Sequence, residues 1–133
     1  MKKIFLLLLI IFIVIGCSKQ STEDKITSNT EKNIIGIWDE AIYIEEKGTW
    51  FIYEFIFTEN NICSNATTLS GPNGVQTLGV AKCTYKVSGT TIYIDEANIQ
   101  FTYDEKNNIL RDEEGIFTKT SDNPCTSIYS PCK

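Results

Sequence analysis

Residues 49–58 read Thr49-Trp50-Phe51-Ile52-Tyr53-Glu54-Phe55-Ile56-Phe57-Thr58, a run of aromatic and β-branched side chains that suits a pleated strand. Side chains alternate across a strand, so Phe51, Tyr53, Phe55 and Phe57 form one row and Trp50, Ile52, Glu54 and Ile56 the other. The all-aromatic row is the expected core. Elsewhere Ile34, Gly36, Trp38, Ile42 and Ile44 share one parity, as do Ile99, Phe101 and Tyr103. The same rows have a second use: Phe51, Tyr53, Phe55, Phe57, Phe101 and Tyr103 are the candidate lining of a pocket for a small apolar ligand.

Working outward from this strand, turn-forming clusters recur about every ten residues. The segments between them give eight strands: 35–45, 49–58, 62–69, 77–87, 90–95, 97–104, 108–112 and 115–119. The connectors are chemically suited to turns. Glu45-Glu46-Lys47-Gly48 and Asp112-Glu113-Glu114-Gly115 each end in glycine, where a bulged type I turn wants a positive φ. Ser88-Gly89 suits a tight hairpin, and Asn60-Asn61 and Asn107-Asn108 tolerate the left-handed conformation. Connections this short pair each strand with the next. No segment carries a helical period. The expected fold is therefore all-β, an antiparallel up-and-down meander of about eight strands that closes into a small barrel.

The chain has 133 residues, enough for one domain, and no histidine. That removes Ser-His-Asp and Cys-His nucleophile systems and the usual histidine-ligated zinc sites, so a non-enzymatic protein without metal or cofactor is expected. The carboxylate runs fall in turns, where charge keeps hairpins soluble. With 17 acidic against 12 basic groups the chain also lacks the basic surface that nucleic acid requires.

Four cysteines lie beyond residue 60: Cys63, Cys83, Cys125 and Cys132. If Cys63 and Cys83 face each other on adjacent strands, the hairpin centre falls at Asn73, inside Ser70-Gly71-Pro72-Asn73-Gly74, the best turn sequence in the chain. Register thus favours Cys63–Cys83 and leaves Cys125–Cys132. The second pair closes a loop after the last strand, stiffened by Pro124 and Pro131, with Ile128 and Tyr129 at its tip. Such a loop is either a partner-binding site or a clasp that pins the chain end and folds Tyr129 onto the barrel mouth.

Residues 1–17 read MKKIFLLLLIIFIVIGC, with Lys2 and Lys3 before an unbroken apolar run from Ile4 to Ile15. Twelve residues make only about 18 Å of helix, short of a bilayer's hydrocarbon core. Val14-Ile15-Gly16-Cys17 resembles the bacterial lipobox, whose cysteine is lipidated and becomes the mature N-terminus. The resemblance implies a signal peptide over 1–16, acylation of Cys17, and attachment to a membrane of the bacterial cell envelope, the outer membrane in a Gram-negative cell. Without Lys2 and Lys3 the formal charge goes from -5 to -7. Residues 17–33 then read as the lipidated cysteine and a flexible tether, 34–120 as the barrel and 121–133 as a disulfide-closed tail.

Gly36-Ile37-Trp38 at the opening of the first strand, ahead of an eight-strand meander, resembles the short lipocalin-like domains of bacterial exported proteins. A second group of small exported β domains, the META-type, shares the Gly-x-Trp opening. The lipocalin resemblance implies that Trp38 packs at the closed end of the barrel with a basic side chain across it. Arg111, the single arginine, is the residue expected there. It further implies a membrane-anchored, non-catalytic binder of a small apolar ligand or an envelope protein. The competing expectation is an interaction or inhibitor module that uses the Cys125–Cys132 loop, or a structural envelope protein.

Overall fold

The computed structural model of the protein describes residues 21–132. One helix, α1 (Thr22–Ile34), precedes eight strands: β1 (Gly36–Ile44), β2 (Thr49–Phe57), β3 (Ile62–Gly71), β4 (Gly74–Ser88), β5 (Thr91–Ile94), β6 (Ile99–Asp104), β7 (Ile109–Arg111) and β8 (Ile116–Ser121). Each strand pairs antiparallel with the next, and β1 pairs with β8 to close the barrel. The expected all-β barrel meander is the observed fold.

Turn chemistry fixes the register. Asn61 and Asn108 adopt φ of 58° and 51°, the left-handed conformation that asparagine tolerates. In the β3–β4 hairpin Cys63 lies opposite Cys83, and a bulge between Thr67 and Thr68 shifts the register by one. The turn is therefore Pro72-Asn73, flanked by the Gly71–Gly74 pair, rather than a loop centred on Asn73. Gly48 takes the expected positive φ of 60°, but Gly115 does not. At Gly115 a Cβ would meet only the movable Glu40 carboxylate, which accepts a hydrogen bond from the Ile116 amide.

The interior is filled by a single interlocked cluster. Phe55 meets Phe101 and Phe117 edge-on at centroid distances of 4.9 and 5.6 Å, and Phe57 meets Tyr85 at 5.1 Å. Ile92, Ile94 and Leu110 complete the packing from β5 and β7. Edge-to-face pairs of this kind add about 0.5–1.5 kcal/mol each beyond their burial. The Cys63–Cys83 disulfide, with Cα atoms 4.8 Å apart, crosses this core, and both half-cystines are buried.

One expectation is overturned at the N-terminus. Residues 22–33, read as flexible tether, form most of α1. Ser21 caps it, its hydroxyl accepting from the Asp24 amide at 3.2 Å; Glu23 and Asp24 occupy the first turn and Lys32 the last, each suiting the helix dipole. The helix lacks an apolar face by composition, but Thr30 and Ile34, one turn apart, are buried against the end of the barrel. The Gly89 amide donates to Thr27 Oγ1 at 2.7 Å, tying the helix to the β4–β5 turn.

The last carbonyls of a helix have no intrahelical donor. Here the barrel supplies them. Trp38 Nε1 donates to the Ile34 carbonyl at 2.7 Å, and Lys119 Nζ donates to the Asn33 carbonyl at 2.8 Å. The same ammonium stands 5.4 Å from the Trp38 ring centroid and pairs with Asp122 Oδ1 at 2.8 Å. A basic side chain does lie across Trp38, but it is Lys119 on β8. Arg111 was expected there; it is exposed on β7, paired with Thr102 and Ile116, whose side chains are also exposed. Parity decides the difference: Lys119 shares the inward row of Phe117, whereas Arg111 is one residue out of phase with buried Leu110. Gly36 makes the junction sterically feasible, because at φ 137° a Cβ would run into the Ser121 carbonyl.

The Trp38→Phe variant removes the indole donor and leaves the Ile34 carbonyl unpaired in the core. We expect a loss of about 2 kcal/mol in urea unfolding, with amide exchange in residues 22–34 accelerating more than in β2.

Candidate functional site

Each of the six aromatic residues expected to line a ligand pocket has a definite place. Phe55, Phe57, Phe101 and Tyr103 are buried in the filled interior, the outcome in which the rows serve as core. Phe51 and Tyr53, in edge contact at 4.8 Å, sit further along β2 and are half-buried. Two concavities among the described residues lie outside the packed interior. One, of about 710 Å³, opens between α1 and the closed end and is bordered by Glu31, Asn33, Glu59, Tyr85, Tyr103 and Lys119. Burial, and then the Glu31 and Glu59 carboxylates, push the Tyr85 hydroxyl up to about 12, so it stays protonated and donates to the Thr58 carbonyl at 2.6 Å. Lys119 is already committed to Asn33 and Asp122. This cleft offers hydrogen bonds, and its tyrosine and lysine are fixed in structural roles. The other, of about 970 Å³, is a shallow hollow over β5–β7 edged by Arg111 and by Asp95, Asp112, Glu113 and Glu114.

The more distinctive feature is the opposite end. Strands β1 to β4 run 9, 9, 10 and 15 residues, whereas β5 to β8 run 4, 6, 3 and 6. The first four therefore project past the rim as a sheet. Register places Tyr43, Trp50, Ser70 and Val75 in one row across its outer face. Tyr43 and Trp50 meet in a tilted contact at 4.9 Å with nearly half of each residue in solvent, and Val75 is 70% exposed. An aromatic pair left uncovered next to an apolar neighbour is characteristic of a contact surface.

The C-terminal segment explains where that surface stops. Beyond β8 the chain turns back over the outer face, capped by Asn123, whose Oδ1 accepts from the Cys125 amide at 3.0 Å. The Cys125–Cys132 disulfide, Cα atoms 5.5 Å apart, closes it. Ser64 Oγ donates to the Tyr129 carbonyl at 2.8 Å, and the Tyr129 hydroxyl shares a 2.7 Å hydrogen bond with Thr77. Between these two anchors Ala66 and Thr68 are buried on the outward row of β3, as are Ile37 and Ile56 beside them. The loop is thus a clasp on the wall of the barrel, not at its mouth. Of the two tip residues expected to meet a partner, Tyr129 is pinned and Ile128 stands 75% exposed.

The clasp also covers a pair of carboxylates that sequence reasoning missed. Asp39 and Glu54 are direct cross-strand partners on the outer face. Ser127 Oγ donates to Glu54 Oε1 at 2.6 Å and Thr120 Oγ1 to Asp39 Oδ2 at 3.2 Å, while Asp39 Oδ1 is buried without a partner. Burial, and then the facing Glu54 charge, push Asp39 from 3.8 up to about 6 against the opposing effect of Thr120. The signal available in sequence was the parity of Asp39 with Ile37 and of Glu54 with Ile56; what hid it was that an outward row is ordinarily wet.

No protein-family model, curated protein or solved structure matches this chain. Among the described residues no helix is long and apolar enough to cross a membrane. Residues 1–16, read as a signal segment, and Cys17 lie outside the described residues.

Asp39 holds its proton in the folded state between about pH 4 and 6, where the unfolded chain has released it, so its contribution to stability is greatest below pH 4 and is lost as pH rises through 6. Asp39→Asn removes that dependence. The variant is expected to exceed the parent by about 1–2 kcal/mol at pH 7 and to match it near pH 4, the linkage value being reduced because the carboxyl is half-exposed. Paired urea titrations across this range measure the difference.

Proposed function

We propose that this chain is a membrane-anchored lipoprotein of the bacterial envelope, held through acylated Cys17, whose lipocalin-like barrel acts by non-catalytic binding of a partner protein. The observation that carries the reading is the division of the barrel into a filled end capped by α1 and a projecting end with an uncovered aromatic face. Thr22 begins α1 only five residues after Cys17, which is at most about 17 Å of extended chain. A lipid on Cys17 therefore holds the closed end toward the headgroups and aims Tyr43 and Trp50 away from them. The Gly36-x-Trp38 junction crossed by Lys119 supports the lipocalin resemblance, with lysine in the basic role.

A partner protein fits this geometry better than a small apolar ligand because Phe55, Phe57 and Phe101 occupy the space a ligand would need. The reading in which the Cys125–Cys132 loop makes the contact is favoured by one observation, the exposure of Ile128, and that residue adjoins Tyr129 on the same outer face as Trp50. The two contact sites are compatible parts of one surface.

Two measurements test the proposal. Cys17→Ser should move the protein out of the membrane fraction and leave a precursor that retains residues 1–16; unchanged fractionation with cleavage elsewhere overturns the anchor. Titration of the folded protein with an apolar fluorophore should be flat. A saturable enhancement that Phe51→Glu abolishes would instead establish the small-ligand function.

A further inference from the structure

The unequal strand lengths leave two open backbone edges. Strand β1 pairs with β8 over Ile37–Asp39 only, and β4 pairs with β5 over Tyr85–Ser88 only. Residues 40–44 of β1 and 74–83 of β4 are therefore paired on one side alone. Local hydrogen bonds tell which groups face outward. The Thr84 carbonyl accepts from the Asp95 amide, and the Thr84 amide and hydroxyl both donate to the Glu96 carboxylate at 2.9 Å. That carboxylate ends the β4–β5 ladder like a cap. By alternation the next outward-directed groups on β4 belong to Lys82 and Val80. On β1 the Ile37 and Asp39 carbonyls accept from the Thr120 and Thr118 hydroxyls of β8, so the next outward groups are those of Ala41 and Tyr43. A row of unpaired amides and carbonyls is a template for another strand.

Charge and direction select the strand that fits. Residues 60–94 contain no aspartate or glutamate in a chain with 17 of them, yet include Lys82 and Lys86. The open edge of β1 instead runs straight into exposed Glu45 and Glu46. The open stretch of β4, residues 74–83, carries Lys82 and no carboxylate, so the acidic end of β1 meets no like charge along it. Strand β1 runs away from the closed end and β4 runs toward it. A β1 edge and a β4 edge from two copies are therefore antiparallel when both closed ends face the same way, which is the arrangement of two copies on one membrane. Two β4 edges would be antiparallel only with the closed ends opposed.

We infer that the projecting half of this protein associates side by side with a second copy of the chain, the β1 edge (residues 40–44) of one copy adding antiparallel to the β4 edge (residues 74–83) of the next. Pairing continues the sheet from one molecule to the other and shelters Val80 and Leu78, both about half exposed in the single chain. The contact is head-to-tail, so each copy keeps one edge free and the association extends as a row. The common orientation of the copies rests on the proposed anchoring at Cys17; the edges and their charge do not.

The test uses the full chain expressed in bacterial membranes with a benzophenone amino acid at Val80 or, separately, at Ala41. Irradiation should give covalent dimers and a ladder of higher species, with the Val80 probe mapping by peptide mass analysis to residues 38–43 of a second copy. Val80→Pro deletes an outward amide while leaving the β3 ladder intact, and with the probe at Ala41 it should lower the yield by about tenfold or more. Val80→Thr keeps the amide and should preserve the yield, which separates edge pairing from general misfolding. A Val80 probe that yields no dimer, reacts with β4 of the second copy or labels an unrelated protein overturns the inference. If Cys17→Ser shows that the chain is not acylated but concentrated protein still gives the β1–β4 product, edge pairing stands and the anchor falls.

Discussion

The capture of the C-terminal carbonyls of α1 by Trp38 and Lys119 is the constraint on which the rest of the molecule depends. Two carbonyls that a helix end cannot satisfy internally are brought to the base of the barrel, where a missing partner would leave them desolvated at a cost of about 1–3 kcal/mol each. The indole satisfies one and the ammonium the other. The ammonium in turn needs a counter-charge, which Asp122 supplies at 2.8 Å, and an apolar wall, which the Trp38 ring supplies. Gly36 lets β1 approach the end of β8 closely enough for this to happen. First strand, last strand and helix are thereby tied at one point, so the barrel is closed and plugged by the same few residues.

Most of the fold was readable from residues whose meaning is local. The Phe51–Phe57 alternation, the glycine and asparagine turns and the spacing of Cys63 and Cys83 each depend on neighbours along the chain or across one hairpin. The eight strands follow from these. What escaped depends on contacts made at long range. The sequence of α1 is polar enough to read as a tether; only docking against Trp38, Lys119 and the β4–β5 turn holds it in one place, although Ser21 with Glu23 and Asp24 is a legible cap. Arg111 has the chemistry to cover Trp38, but strand parity turns it outward and turns Lys119 in. The surface features were the least legible, because the outward rows of β1–β3 become buried only where residues 121–132 fold over them. Tyr129, with one polar anchor on β3 and another on β4, belongs to that wall and not to a free loop tip.

The clasp and the projecting sheet are two answers to one geometric problem. Strands of unequal length cannot all pair around a closed barrel, so the longer ones present backbone edges and an extra area of sheet face to water. Residues 121–132 cover the part of that face nearest the barrel, where Ile37, Ile56 and Ala66 would otherwise be wet, and place Ser127 on Glu54, while Thr120 of β8 reaches Asp39 beside it. They stop short of Tyr43, Trp50 and Val75. A disulfide spanning seven residues is well suited to this task, since it holds a short segment in shape without needing a core of its own.

Filling the interior has a consequence for how such a barrel can act. A hollow barrel presents its specificity inward; one packed with interlocking phenylalanines has only its walls, rims and edges to offer. In this chain the closed rim is occupied by α1, the wall over β1–β3 by the C-terminal clasp, and the short strands β5–β8 by a hollow crowded with carboxylates. The projecting ends of β1–β4 are what remains, and they combine uncovered aromatic side chains with unpaired backbone. Side chains confer specificity for a shape, and backbone edges confer a direction. Both occur on the half of the barrel farthest from α1, while the half that α1 caps is given over to closure.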